Sequence, residues 1–307
     1  MAERQRWWRI VQGVLALVVI GLAVGKLAGS WDELRAQPIA WDVRPGWLLA
    51  SVAIVWAAYA LLVEAWRRVV VSMGQHLDYP NAARICMVSN LGKYIPGKVW
   101  AIAGNALLAQ QAGVDASAAV AAALVNQALA LAGGLALVGA LSPAALRAAP
   151  VWMGVATLTL GVGAVLGVAA LSSKWALARV QRFLPATWPA LAPIAPRVML
   201  GAFLANVAAW AGYGLAMQCL ARGLTPDAVV SWSLAATVFT ISYLVGLVAV
   251  FAPAGLGPRE SLFYLLLVGA VGPKLAIALA LATRVLLTVT ELGAAAPFLF
   301  ARKGVLR

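Results

Sequence analysis

Two short stretches put charge where an apolar chain should not tolerate it. Asn90-Leu91-Gly92-Lys93-Tyr94-Ile95-Pro96-Gly97-Lys98-Val99-Trp100 sets two lysines, a proline and two glycines inside an otherwise apolar segment. Ala252-Pro253-Ala254-Gly255-Leu256-Gly257-Pro258-Arg259-Glu260 sets an arginine and a glutamate behind a second Gly/Pro run. A third set, Arg284, Thr288 and Glu291, is spaced i, i+4, i+7 within the last apolar segment, which puts it on one helical face. A bilayer core has no water to satisfy broken backbone or to solvate an ammonium group. Such residues are tolerated there when they line a polar cavity enclosed by protein. Two broken, charged segments in corresponding parts of a chain are the pattern of a transport site.

The residue types indicate what that site would hold. Pro96 has no N–H to donate, and Gly97 relaxes the steric limits on the backbone. A half-helix restarting at Pro96 would aim its free N–H groups and positive dipole end into the cavity. Lys93 and Lys98 add two cations there, with Tyr94 between them, and the combination can clamp a phosphate. The competing reading has both lysines snorkel to the interface. That suits Lys93 better than Lys98, which precedes a long apolar run.

At the second break, Pro253, Gly255 and Gly257 interrupt the backbone and Pro258 suits a first helical position. Glu260 then fits the positive end of the new helix as a cap. A cap and a ligand for a cationic headgroup or a proton are both open for Glu260. Arg259 is expected to face the cavity and meet a phosphate. Arg284 and Glu291 lie about 10 Å apart along their helix axis, too far for a mutual pair. Glu260 is a candidate partner for Arg284, and Lys93 or Lys98 for Glu291. Arg284 is expected to hold the phosphate together with Lys93, Lys98 and Arg259, with Glu260 and Glu291 as counter-charge at the substrate site; structural ion pairs that fasten the breaks to the last helix are the alternative.

The elements that must position these residues follow from composition. Of 307 residues, 64% are hydrophobic and 11% charged, and the mean hydropathy is +0.91. Soluble domains carry roughly 25% charged residues. The chain reads as an all-α, polytopic helical membrane bundle, one transmembrane domain over residues 1–307. A span needs about 20 apolar residues. Val11–Gly29, Trp47–Trp66, Ala116–Leu141, Val151–Leu171, Val198–Leu220, Val229–Phe251 and Leu275–Phe300 qualify. Ala83–Gln111 and Pro253–Gly272 are the broken segments, each a re-entrant hairpin or a discontinuous helix, for about 7–8 spans in all. Residues 11–141 and 198–300 both read helix, helix, break, helix, joined by 142–197, which is the order of an internal two-fold repeat.

Charge sets orientation and excludes other classes. The net charge is +13, from 23 Lys and Arg against 10 acidic residues. Basic clusters at Arg4, Arg6 and Arg9, at Arg67, Arg68 and Arg84, and at Lys174, Arg179, Arg182 and Arg197 alternate with poorer loops. By the positive-inside rule the N-terminus is cytoplasmic, in a cytoplasmic (inner) membrane. Arg302, Lys303 and Arg307 favour the same side for the tail. The excess also attracts anionic lipid headgroups. Nucleic acid is excluded, because the bases are dispersed through apolar sequence rather than gathered on one solvated face. Trp31, Trp41, Trp47, Trp152, Trp175 and Trp188 fall near span ends, as an interfacial belt does. Asn126, Gln127 and Asn206 sit mid-span and suit interhelical hydrogen bonds. Glu64 precedes Arg67 and Arg68 at the spacing of a surface ion pair.

Cys86 and Cys219 read as small buried hydrophobes rather than a disulfide. His76 is the one histidine, so neither a metal site nor a Ser–His–Asp set is expected. No phosphate-binding Gly-x-x-x-x-Gly-Lys-Ser/Thr run occurs. No enzymatic activity and no cofactor are expected.

The same three passages, the last read as Thr283-Arg284-Val285-Leu286-Leu287-Thr288-Val289-Thr290-Glu291-Leu292, resemble the lysylphosphatidylglycerol synthase transmembrane-region family of flippase-like membrane proteins. The second and third look closest to that family's Pro-Gly-Gly-x-Gly-x-Arg-Glu and Arg-x-x-x-x-x-x-Glu patterns. Ala254 replaces a usual glycine, Asn105 stands about where many members carry arginine, and Asn126-Gln127 about where many carry Glu-Arg. The resemblance covers nearly the whole chain. It implies movement of an anionic or aminoacylated phospholipid, or a lipid-linked precursor, between leaflets, without the soluble aminoacyl-transfer domain of bifunctional members. Two other functions stay open: an accessory subunit presenting lipid to a separate transferase, and a small-solute transporter. The expected partner is a lipid with an anionic headgroup, and beyond it another copy of the chain or a transferase.

Overall fold

The computed structural model describes residues 41–94, 99–145, 194–225, 229–248 and 255–300, with isolated positions between 146 and 193. Every regular element among the described residues is helical. In chain order they are α1 (Pro45–Ser72), α2 (Tyr79–Asn90), a 3-10 turn (Leu91–Tyr94), α3 (Val99–Gln111) and α4 (Ala116–Ala145). Then follow α5 (Pro196–Leu224), α6 (Trp232–Val248), α7 (Pro258–Val271) and α8 (Pro273–Phe300).

Local chemistry sets these boundaries. α1, α5, α7 and α8 all begin on proline, whose missing N–H and fixed φ cost nothing in a first turn. Asp115 caps α4: its Oδ1 accepts from the Ala118 N–H at 3.0 Å and from the Ser117 hydroxyl. α1, α5 and α8, and Ala116–Leu141 of α4, are long and apolar enough to cross a membrane. They match four of the expected spans. α6 is apolar but shorter. Val11–Gly29 lies outside the described residues, as does nearly all of Val151–Leu171.

The two arms of the first broken segment pack side by side, and the second contributes one short helix, α7. A Cβ on Gly92 would stand 2.6 Å from the Ala101 nitrogen, and one on Gly104 would stand 3.6 Å from the Ser89 Cβ. Both contacts pair residues equally far from the Pro96-Gly97 step, so α2 and α3 run antiparallel. Gly246 of α6 likewise faces Gly255 and Arg259 across the second break. The arms of 12, 13 and 14 residues reach only about 20 Å at 1.5 Å per residue, short of a hydrocarbon core about 30 Å thick. Gly113 and Gly272, both at φ 77°, then end the short helices α3 and α7 ahead of long ones. Among the described residues the helix lengths run 28, 12, 13 and 30 before residue 146, and 29, 17, 14 and 28 after residue 193.

The described chain divides into two compact units. One comprises residues up to Val55, Lys93–Lys98 and Gly212–Val289; the other comprises Trp56–Gly92, Val99–Ala211 and residues from Thr290. In the second unit Val63, Trp66, Val69, Val70, Ile85, Leu129 and Met199 form a buried apolar core. Asn206 there donates to Asn126 at 3.3 Å, and Trp210 donates to the Ala130 carbonyl at 2.8 Å. These are the interhelical hydrogen bonds expected of mid-span polar groups. Glu64 pairs with Arg67 and Arg68, each at 2.7 Å. Both cysteines are free thiols.

Candidate functional site

The second break builds its site from the backbone outward. Gly255 has φ 73°, and a Cβ there would meet the Gly246 Cα at 2.8 Å. Conformation and space both require glycine at this position. Gly257, at φ 89°, is the N-cap of α7, and Pro258 is its first residue. Glu260, the third residue, reaches back so that its Oε2 accepts from the Gly257 N–H at 2.9 Å. That is the carboxylate half of a capping box, placed where the helix dipole favours negative charge. Its other oxygen, Oε1, accepts from Arg284 at 2.9 Å. The cap and ion-pair readings of Glu260 thus describe two oxygens of one group.

Arg259 is the charged residue that this arrangement buries. It is 7% exposed, and its guanidinium carbon lies 5.4 Å from the Phe239 ring centroid and 5.0 Å from that of Tyr243. Phe239 and Tyr243, one turn apart on α6, are stacked at 6.1 Å, and Tyr213 of α5 extends the row at 5.2 Å from Phe239. A guanidinium within about 6 Å of an aromatic face is held by the ring quadrupole while its flat, weakly hydrated surface is buried. In the same unit, Thr237, Thr240 and Ser242 of α6 and Tyr264 of α7 carry buried hydroxyls with no hydrogen-bond partner among the described residues.

The first break contributes Lys93 and Tyr94 to the same unit. The Tyr94 hydroxyl donates to Thr288 Oγ1 at 3.3 Å, and Lys93 Nζ lies 5.6 Å from the Tyr94 ring centroid. Pro96, Gly97, Lys98 and Pro253 lie outside the described residues. This unit therefore gathers Lys93, Tyr94, Arg259, Glu260 and Arg284. Glu291 belongs to the other unit, where it is 5% exposed and accepts from the Tyr59 hydroxyl at 3.5 Å. Tyr59 also meets Thr290 Oγ1 at 3.3 Å, and Trp56 donates to the Thr290 carbonyl at 3.1 Å.

Sequence reasoning missed Phe239 and Tyr243, although two aromatics at i, i+4 are a recognisable helical pair. It also missed Tyr59 as the neighbour of Glu291. A tyrosine in the middle of a span is a usable signal there, since its hydroxyl needs a partner.

The family model described as Lysylphosphatidylglycerol synthase TM region matches residues 9–293. The chain belongs to this family. It is thereby a member of a membrane family related to lipid handling, and both broken segments and most of α8 fall within the match. No curated protein matches the chain. Among the described residues, no group of three or more His, Cys, Asp or Glu side chains could hold a metal.

Proposed function

We propose that this chain moves lipids with an anionic headgroup between the leaflets of the cytoplasmic membrane. The observation that carries the reading is Arg259: a buried guanidinium on an aromatic row, in the first turn of a helix that starts at a Gly/Pro break. A cation, a helix N-terminus and unbonded hydroxyls within one apolar unit suit a phosphodiester that must leave water. In this mechanism Arg259 contacts the phosphate, and Lys93, Lys98 and Tyr94 meet it from the first break. Arg284 and Glu260 neutralise each other, so that this pair adds no net charge to the empty site. The acyl chains stay in hydrocarbon throughout.

Reconstitution tests this directly. The purified chain in vesicles should speed the exchange of a headgroup-labelled phosphatidylglycerol between leaflets, read by quenching of the outer-leaflet label. Arg259→Ala should slow that rate about tenfold, which corresponds to about 1.4 kcal/mol at the barrier. Arg259→Lys should recover part of it, because the point charge survives without the planar contact. Vesicles that gain no exchange from the wild-type chain would overturn the proposal and favour the accessory-subunit reading. Uptake of free solute phosphate with no lipid exchange would favour the small-solute reading.

A further inference from the structure

The unit that contains Tyr59 and Glu291 carries a pocket of about 300 Å³, at the lower end of ligand-site volumes. Its walls come from α1, α2 and α8. Val63 and Ala60 line it from α1, Met87 from α2, and Gly293 and Pro297 from α8. Three aromatic residues with polar atoms also line it, and each polar atom is bonded to protein. Trp56 Nε1 donates to the Thr290 carbonyl, the Tyr59 hydroxyl meets Thr290 and Glu291, and the Tyr79 hydroxyl donates to the Ala60 carbonyl at 3.2 Å. What remains for an occupant is carbon surface. The pocket therefore selects against any headgroup, sugar or peptide, whose polar atoms would be buried without partners.

Its position in the chain narrows the occupant further. Residues 56–63 fall at the middle of α1, a helix long and apolar enough to cross a membrane, and a residue at that depth of a span lies at the level of the hydrocarbon core. Gly293 borders that space beside Trp56: a Cβ there would make ordinary contact with Trp56 Cζ2, at 3.4 Å. We infer that this pocket is a binding site for a single acyl chain of a membrane phospholipid. The inference rests on the chain crossing a bilayer and on the lining, and not on lipid translocation.

The test uses the full chain in bilayer nanodiscs containing phosphatidylglycerol with a photoactivatable diazirine on one acyl chain. After irradiation and digestion, adducts should concentrate on peptides carrying Val63, Met87 and Pro297, and excess unlabelled phosphatidylglycerol should compete them away. Gly293→Leu, which fills the pocket against Trp56, should cut those adducts roughly tenfold. Labelling of Leu281 and Val285, exposed on α8, should not change. If Gly293→Leu fails to fold, Ala294→Ile provides the same reading. Adducts spread equally over Leu281, Val285 and the pocket, or unaffected by both substitutions, would overturn the inference. A cross-link from the pocket to a second copy of the chain would do so as well. Leaflet exchange measured on the same sample is an independent readout, so loss of one activity does not imply loss of the other.

Discussion

Glu260 does two jobs with two oxygens, and single substitutions separate them. Glu260→Gln keeps an acceptor for the Gly257 N–H but loses the charge opposite Arg284. Glu260→Ala loses both. The alanine variant should therefore melt lower, by about 1 kcal/mol for the missing cap. Arg284→Met and Glu260→Gln should each destabilise, since each leaves its partner's charge alone in a site where both side chains are only about a fifth exposed, at 17% and 20%. Combining Arg284→Met with Glu260→Gln should restore much of the loss. Thermal unfolding in detergent ranks the four proteins, and a strictly additive double variant would show that the pair is not coupled.

Asp115, at the start of α4, gives a pH prediction. The Ser117 hydroxyl, and then the Ala118 N–H, hold its carboxyl below the usual carboxylate range. A depressed folded value contributes stability that is present above the unfolded value, about 3.9. That stability is lost as pH falls through the lower folded value. Asp115→Asn retains the cap without the titration. The gap in unfolding temperature between wild type and Asp115→Asn should be constant near neutrality and close below about pH 4. A gap that widens in acid would contradict this.

The Arg284–Glu260 partnership was legible at this scale, because deep charges need partners and few exist in so apolar a chain. Arg259 on Phe239 and Tyr243 was not, since cation–aromatic contacts leave no spacing rule between α6 and α7. The neighbour of Glu291 was also hidden: Tyr59 stands 232 residues earlier.

At the level of elements, close approach is what the glycines control. A Cβ on Gly214 of α5 would run into the backbone and side chain of Ala236 on α6. Since those atoms are not the end of a flexible side chain, α5 and α6 must separate to admit it. Gly214→Ala should cost about 1–3 kcal/mol. Gly269 of α7 has nothing within 4 Å of a built Cβ. Gly269→Ala should be neutral or stabilising by up to about 1 kcal/mol, from helix propensity alone. Unfolding of the two variants side by side checks the contrast, and equal effects would remove the packing argument.

The long spans were readable because an unbroken run of about 20 apolar residues has few other uses. The breaks were readable as breaks, because proline and glycine act locally. Whether a break opens into a hairpin depends on contacts such as Gly92 with Ala101, which no local rule supplies. The expected start of the second span at Trp47 falls two residues inside α1, and its expected end at Trp66 falls six residues short of Ser72. Arg67 and Arg68 ended the apolar count without ending the helix, because both pair with Glu64 one turn back.

For the whole molecule, the +13 charge should make stability depend on the surrounding lipid. Basic residues at a membrane surface gain about 1 kcal/mol each from an anionic leaflet. Unfolding temperatures in nanodiscs should be higher with phosphatidylglycerol than with phosphatidylcholine, by mass action of bound lipid. The difference should shrink with added salt, as the screening length falls from about 10 Å at 0.1 M to about 3 Å at 1 M. Equal temperatures at low salt would show that the excess charge does not engage headgroups. The all-helical membrane class was legible from composition alone, whereas the grouping into two units interleaved along the sequence depends on contacts between distant segments.

The α7–α8 joint also bears on how the chain is made. Glu260 and Arg284 stand twelve residues on either side of Gly272, and 24 residues separate them in the sequence. A ribosome therefore releases the acid well before its base has left the exit tunnel. Until then α7 carries an uncompensated carboxylate on a helix too short to cross, and no lateral gate should admit it alone. By this pairing α7 is expected to insert together with α8 rather than ahead of it.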